Sequence, residues 1–324
     1  MKTFIYVLAT LSLPLLENFP RAMELSDIVN LTRAGEELIY SYSGKGLLII
    51  QTEYTDYGRD LLLAPFKEKQ SLGGKAEEVV LGKGAKIYLY FKGREVGWRK
   101  QTSFSRRDGR IWIVDERTIF DGEKTMVQSL SRFNREIPTP YGLISSGHPM
   151  QLHFIDPRSW GYVVFLPEPV IRPPVAIGLI ELLQGKAPDE REVKILGMED
   201  VDDSKCYVVE ANFVTCELRL WIDPKKNFML SKSLGQSKEG IVSESKVIYK
   251  RYKDIWFPKE KLSWLYSLDK VTGEKKLISK RSERLSDDFQ LNIELPDSLF
   301  KAPFVKGEKV YDARINKYIA WPGE

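Results

Sequence analysis

Apolar and polar positions change rhythm several times along this chain, and each change marks an element. An unbroken apolar run from Phe4 to Leu16 follows Lys2 and ends at the polar pair Glu17 and Asn18. That order, a short basic start, a short apolar stretch and a polar exit, is that of a secretory signal peptide. The run is too short to cross a bilayer as a helix, which takes roughly 20 residues. Cleavage after Ala22 would remove residues 1–22 and leave 23–324, which we read as a single domain. Next comes a one-sided pattern of Ile28, Val29, Ala34 and Leu38 behind Ser26, which predicts a helix capped by that serine and ending before Gly44.

The period then shortens to two. Strands are predicted at Gly46–Thr55, Lys86–Phe91, Val96–Thr102 and Arg110–Glu116, with Asp121-Gly122 as a tight turn to the next. Prolines and glycines crowd residues 137–174, so this insert reads as irregular chain, either a lid or plug across an opening or a plain connection. A helical turn or two is predicted from Val175 to Leu183, just after Pro173-Pro174. Strands resume at Val193–Leu196, Cys206–Glu210, Glu217–Ile222, Phe228–Ser237, Ser243–Tyr252, Glu260–Leu268 and Lys276–Arg284. Lys309–Ala313 and Tyr318–Trp321 close the series. Short strands with no helical crossovers argue for antiparallel pairing. A sheet of so many strands must hide its edges and one face. The expected fold is therefore mostly antiparallel β with flanking helices (α+β). We expect a curled, half-open β-barrel covered by the N-terminal helix and the central helix-and-loop segment.

Composition adds little to this. Apolar residues make up 43% of the chain, enough for a core, and the formal charge is only +4. Basic residues concentrate between Lys86 and Arg110, where Arg94, Arg99, Lys100, Arg106 and Arg107 form a candidate patch for an anionic headgroup or a protein partner. No nucleic-acid motif accompanies them. Cys206 and Cys216, the only cysteines, suit either a bridge across a hairpin or two separate thiols, and export would permit the bridge.

Candidate chemistry is sparse. His148 and His153 are the only histidines and lack a third ligand at zinc spacing, so no metal is expected. No glycine-bracketed serine marks a nucleophile elbow, and Gly73-Gly74 and Gly82-Lys83-Gly84 lack the strand-to-helix context of a phosphate loop. Asp202-Asp203 and Asp287-Asp288 read as turn residues. We therefore expect no catalytic residues, no cofactor and no enzyme. A secreted hydrolase using His148 or His153 with Asp156 stands as the least favoured alternative.

Several phrases carry a resemblance: Gly197-Met198-Glu199-Asp200 with Cys206-Tyr207-Val208-Val209-Glu210, then Leu220-Trp221-Ile222-Asp223-Pro224, Ile255-Trp256-Phe257-Pro258, and Gly307-Glu308-Lys309-Val310-Tyr311-Asp312-Ala313-Arg314. In this order they resemble the periplasmic outer-membrane lipoprotein-sorting proteins of the lipoprotein-carrier-like superfamily. The resemblance implies a periplasmic protein, peripheral to the membrane, that binds lipid or acylated lipoprotein without turnover and meets an inner- or outer-membrane protein partner. Leu47, Ile49, Trp112 and Leu220 are the candidate lining of its apolar cavity. A protein-interaction or sensor module of the cell envelope, with a filled core, is the alternative.

Overall fold

The structure, a computed structural model, describes residues 23–61, 84–105, 111–133, 139–146, 155–167, 175–269 and 271–323. The expected signal segment, His148, His153, Arg106 and Arg107 lie outside the described residues. Among the described residues no helix is long and apolar enough to cross a membrane.

Helix α1 (Leu25–Tyr40) opens the described chain. Its start is set two residues earlier than the sequence suggests. Glu24, not Ser26, occupies the cap, and the Asp27 carboxylate accepts the Glu24 N–H at 3.2 Å. The buried stripe is Ile28, Thr32, Gly35 and Ile39, while Ala34 and Leu38 face water. Thr32 and Gly35 disguise that stripe, because neither is strongly apolar.

Strands β1 (Ser43–Tyr54), β2 (Gly84–Lys92), β3 (Glu95–Ser105), β4 (Ile111–Phe120), β5 (Lys124–Phe133) and β6 (Thr139–Ser146) form a meander. Within the insert, read as irregular chain, lie β6 and β7 (Val163–Phe165), and after it come β8 (Ala176–Gly178) and helix α2 (Leu179–Leu183). A second meander follows: β9 (Glu190–Val201), β10 (Ser204–Phe213), β11 (Cys216–Asp223), β12 (Met229–Ser237), β13 (Ile241–Tyr252), β14 (Ile255–Leu268) and β15 (Lys275–Leu285). β16 (Gln290–Leu291), β17 (Lys309–Asp312) and β18 (Lys317–Ala320) end the chain. The helix expected at 175–183 starts only at Leu179, because Ala176–Gly178 pair as a strand with Val163–Phe165.

The two meanders join where β1 pairs with β15, giving one sixteen-stranded sheet ordered β18-β17-β6-β5-β4-β3-β2-β1-β15-β14-β13-β12-β11-β10-β9, with β16 beside β1. All pairs are antiparallel except β17 with β6. This corrects the expected half-open barrel: the sheet is open, mixed in direction, and its end strands β18 and β9 do not meet. Sequence alternation selects hairpin neighbours but says nothing about whether distant ends join. The ends are protected in other ways. β18 has only four residues, and β9 carries Glu190, Arg191, Glu192 and Lys194 plus a register shift beside Gly197, whose φ is 133°.

Layers cover one face and part of the other. On one face Ile28 and Ile39 of α1, Trp160, Val164 and Leu182 pack in one cluster with Leu48, Phe91, Trp98, Leu220, Phe257 and Leu285 of the sheet. Each such side chain contributes roughly 1.5–3 kcal/mol on burial. On the other face the C-terminal segment places Phe304 and Val310 over Ile119, Met126 and Ile144, and Leu295 and Phe300 over Tyr90.

Of the two arrangements left open for the cysteines, the structure has separate thiols. Cys206 and Cys216 are both buried thiols. The β10–β11 register sets Tyr207 against Ile222 and Asn212 against Glu217, so the position opposite Cys206 is close to Asp223, at the far end of the hairpin from Cys216. Seven strand residues separate those ends, roughly 23 Å, where a disulfide needs Cα atoms within about 7 Å. The two also point to opposite faces, Cys206 packing with Val208 and Trp221, and Cys216 with Leu218 and Leu220.

Candidate functional site

The middle of the proline-rich insert is the most thoroughly buried stretch of the described chain. Residues 155–164 are all buried, and Trp160 and Arg158 are 0% exposed. Asp156 caps the 3-10 turn Pro157–Gly161 by accepting the Arg158 N–H at 3.0 Å. The Arg158 guanidinium then folds back on the same carboxylate, with Nε 3.0 Å from Oδ1 and Nη2 2.9 Å from Oδ2, and donates Nη1 to the Gly93 carbonyl. Its plane lies 4.2 Å from the Phe91 ring centre and 4.8 Å from that of Tyr40. A buried arginine in this position is fully compensated. It ties the insert to the β2–β3 turn and to the end of α1.

Over that junction opens a cleft of about 660 Å³, lined by Arg33, Glu36, Glu37, Tyr40 and Ser41 of α1, Gly93, Arg94 and Val96 at the β2–β3 turn, Phe120, Gly122, Asp156 and Ile180. Burial sorts these residues by depth. Val96 and Phe120 are buried and form the floor with half-buried Ile180, whereas Arg33, Glu37 and Arg94 are exposed and form the rim. The cleft thus pairs an apolar floor with a rim of both charges.

Electrostatics divide the rim. The C-terminal end of α1, where the Ser41 N–H and hydroxyl cap the Glu37 and Leu38 carbonyls, is the negative end of the helix dipole. Glu36 and Glu37 add to it. Burial first, and then the neighbouring Glu37, push the Glu36 carboxyl above its ordinary pKa, with Arg33 opposing. Burial likewise raises Tyr40 and Tyr162, both of which feel Glu36. Arg33 and Arg94 offer two cationic groups to an anion. A ligand carrying both signs fits this arrangement better than one carrying either alone.

The residues singled out by sequence fall in several places. Leu220 is 0% exposed inside the core. Leu47 and Ile49 are half-buried and alternate with Leu48, which is the member of β1 that enters the core cluster. Leu47 and Ile49 therefore lie on the other side of the sheet from Leu220. Trp112 lies on β4, paired with Phe104 and Phe133. The Arg94, Arg99 and Lys100 patch is not one surface. Arg94 reaches the cleft, Arg99 grips Asp115 through Nε at 2.9 Å and Nη2 at 2.5 Å, and half-buried Lys100 points to the opposite side of β3. Asp156, the acid assigned to a hydrolase, is held by Arg158 instead. No group of three metal-ligating side chains occurs among the described residues.

Sequence reasoning missed the α1 contribution. Its signal was present: Arg33, Glu36, Glu37 and Tyr40 recur at three- and four-residue spacing and share one helical face, beside the buried stripe.

No protein-family model matches the chain, and no curated protein matches it. Among solved structures it is similar to a DUF1329 family protein from Desulfovibrio piger. That similarity is at 9% identity and a TM-score of 0.38, covering 86% of this chain and 98% of that one.

Proposed function

We propose that this chain is an exported binding protein without turnover, and that its cleft receives a single-chain amphiphile with a zwitterionic head. The observation that carries this reading is the division of the cleft into an apolar floor and a rim bearing both charges. Its volume of about 660 Å³ lies within the range of small-molecule sites, roughly 300–1,000 Å³. The acyl part of the ligand packs on Val96, Phe120 and Ile180. The anionic part of the head meets Arg33 and Arg94, and the cationic part meets Glu36 and Glu37 at the helix end. Export rests on the order of charges and apolar residues before Ala22. The core face itself is filled by α1 and the insert, so the acyl chain is assigned to the cleft and not to the interior of the sheet.

Titration of lysophosphatidylethanolamine below its micelle concentration, followed by native mass spectrometry and calorimetry, tests the reading. One-to-one binding is expected, weakened about tenfold, or 1.4 kcal/mol, in Arg94→Ala and in Glu37→Gln. A dodecanoate probe, which lacks the cationic group, should bind more weakly and ignore Glu37→Gln. Absence of saturable binding, or binding unchanged in both variants, would rule the cleft out as this site.

A further inference from the structure

The charged walls of the cleft belong to different elements, and one buried side chain touches both. Arg158 is 0% exposed and is not itself part of the cleft lining. On one side it donates Nη1 to the Gly93 carbonyl. Gly93 and Arg94 are the two residues of the hairpin turn closed by Lys92 and Glu95, which pair across β2 and β3. The backbone φ is positive at Gly93, 56°, and not at Arg94, the pattern of a type II′ turn with glycine first. The Gly93 carbonyl belongs to the central peptide of that turn, the one that joins it to Arg94. Holding this carbonyl fixes the plane from which Arg94 projects.

On the other side the guanidinium carbon lies 4.8 Å from the Tyr40 ring centre. Tyr40 ends α1, and Glu36 and Glu37 precede it by four and three residues on the face that lines the cleft. The stacking contact therefore seats the helical turn that carries both acids. Arg33 stands on that helix beside its own acids, so Arg94 is the lining cation that comes from a different element. Asp156 fixes the guanidinium in turn, accepting Nε at 3.0 Å and Nη2 at 2.9 Å from within the capped turn Pro157–Gly161. A planar guanidinium engaged on two edges and stacked on its faces holds one orientation. The spacing between Arg94 on the hairpin turn and the two acids on the helix is thus set from a single buried point.

We propose that Arg158 is a positioning residue that sets the separation of positive and negative charge across the cleft, and so its selectivity for heads carrying both charges. This rests on the reading of the cleft as an amphiphile site. A zwitterionic head engages both walls at once and is sensitive to their spacing. A singly charged ligand uses one wall and tolerates a shift of the other. A neutral ligand uses only the floor of Val96, Phe120 and Ile180.

Calorimetric titration of the full chain with lysophosphatidylethanolamine, dodecanoate and decanol reads the three cases. Asp156→Leu/Arg158→Met removes both buried charges together and leaves neither unpaired. In that variant lysophosphatidylethanolamine is expected to bind about tenfold more weakly, or about 1.4 kcal/mol, dodecanoate to lose less and decanol to be unchanged. Arg158→Lys keeps a cation beside Asp156 without the fork that reaches Gly93 at the same time, and should give a smaller loss with the probes in the same order. Thermal unfolding of each variant runs alongside. A lowered midpoint with the wild-type ratio of affinities shows a structural staple only and overturns the proposal, as does an equal loss for all three probes. Wild type that binds none of the three overturns the reading of the cleft and the positioning role with it, whereas a wild-type preference kept by both variants overturns the positioning role alone.

Discussion

Arg158 Nη2 and Asp156 Oδ2 lie 2.9 Å apart, with the arginine side chain 0% and the aspartate side chain 3% exposed. The pair belongs to one tight turn, yet it reaches Gly93 in the β2–β3 turn and stacks against Phe91 and Tyr40. It fixes both the insert and the base of the cleft. Asp156→Ala leaves the guanidinium buried and unpaired, a loss of roughly 3–5 kcal/mol. Urea denaturation should show a lowered midpoint. The Asp156→Leu/Arg158→Met double variant removes both charges and should recover much of that loss. If the double variant is no better than Asp156→Ala, the arginine contributes chiefly through packing.

Gly35 offers a second test of how α1 is seated. A Cβ there would lie 2.1 Å from the Asn227 carbonyl oxygen and 2.7 Å from the Tyr162 hydroxyl, which itself donates to that carbonyl. In an exposed helix, glycine to alanine gains about 1 kcal/mol. Here the close approach reverses the sign, and overpacking should cost Gly35→Ala about 1–3 kcal/mol. Ala34→Gly, one residue away on the exposed side, should lose only the propensity term. Thermal unfolding of the two variants separates contact from propensity.

Glu36 links stability to recognition through pH. Folding raises its pKa, so the folded chain holds the proton at pH values where the unfolded chain has released it. Stability is therefore lost as pH rises from the ordinary carboxyl range through the folded value. Glu36→Gln removes that loss. The variant should match wild type near pH 4 and exceed it near pH 7, while binding a zwitterionic amphiphile less well. Equal pH dependence in the two proteins would show that the carboxyl is well solvated.

How much of this was legible in the sequence depended on the range of the interaction. Most strands of the two meanders follow alternation such as Lys86–Phe91 and turn signals such as Asp223-Pro224, because hairpin pairing is local, whereas β6, β7 and β8 lie in stretches read as irregular chain or helix. The join of β1 to β15, the parallel contact of β17 with β6 and the open edges were not legible, since each depends on chain far away in sequence. The burial of residues 155–164 was not legible in a stretch so rich in proline and glycine, and the Asp156–Arg158 pair looked like ordinary loop polarity. Leu47 and Ile49 illustrate a different limit: four apolar residues in a row, Leu47 to Ile50, erase the alternation that would tell one face from the other.

The two cysteines provide a chemical check on the β10–β11 register. Because they sit on opposite faces and at opposite ends of the hairpin, both should alkylate with iodoacetamide after unfolding without reductant, and neither should react quickly in the native state. Burial, reinforced by the Asp223 charge, pushes the Cys206 thiol up to about 12, so the nucleophilic thiolate is scarce at neutral pH. The same shift acts on stability. From about pH 8.5, the ordinary thiol pKa, the unfolded chain releases this proton while the folded chain retains it. Stability should fall from that point up to about pH 12. Tyrosines and lysines also titrate in that window, so the readout is the difference from Cys206→Ala, whose slope should be shallower. A mass lower by two hydrogens in the unreduced protein, together with protection from alkylation after unfolding, would show a disulfide and require a different hairpin register.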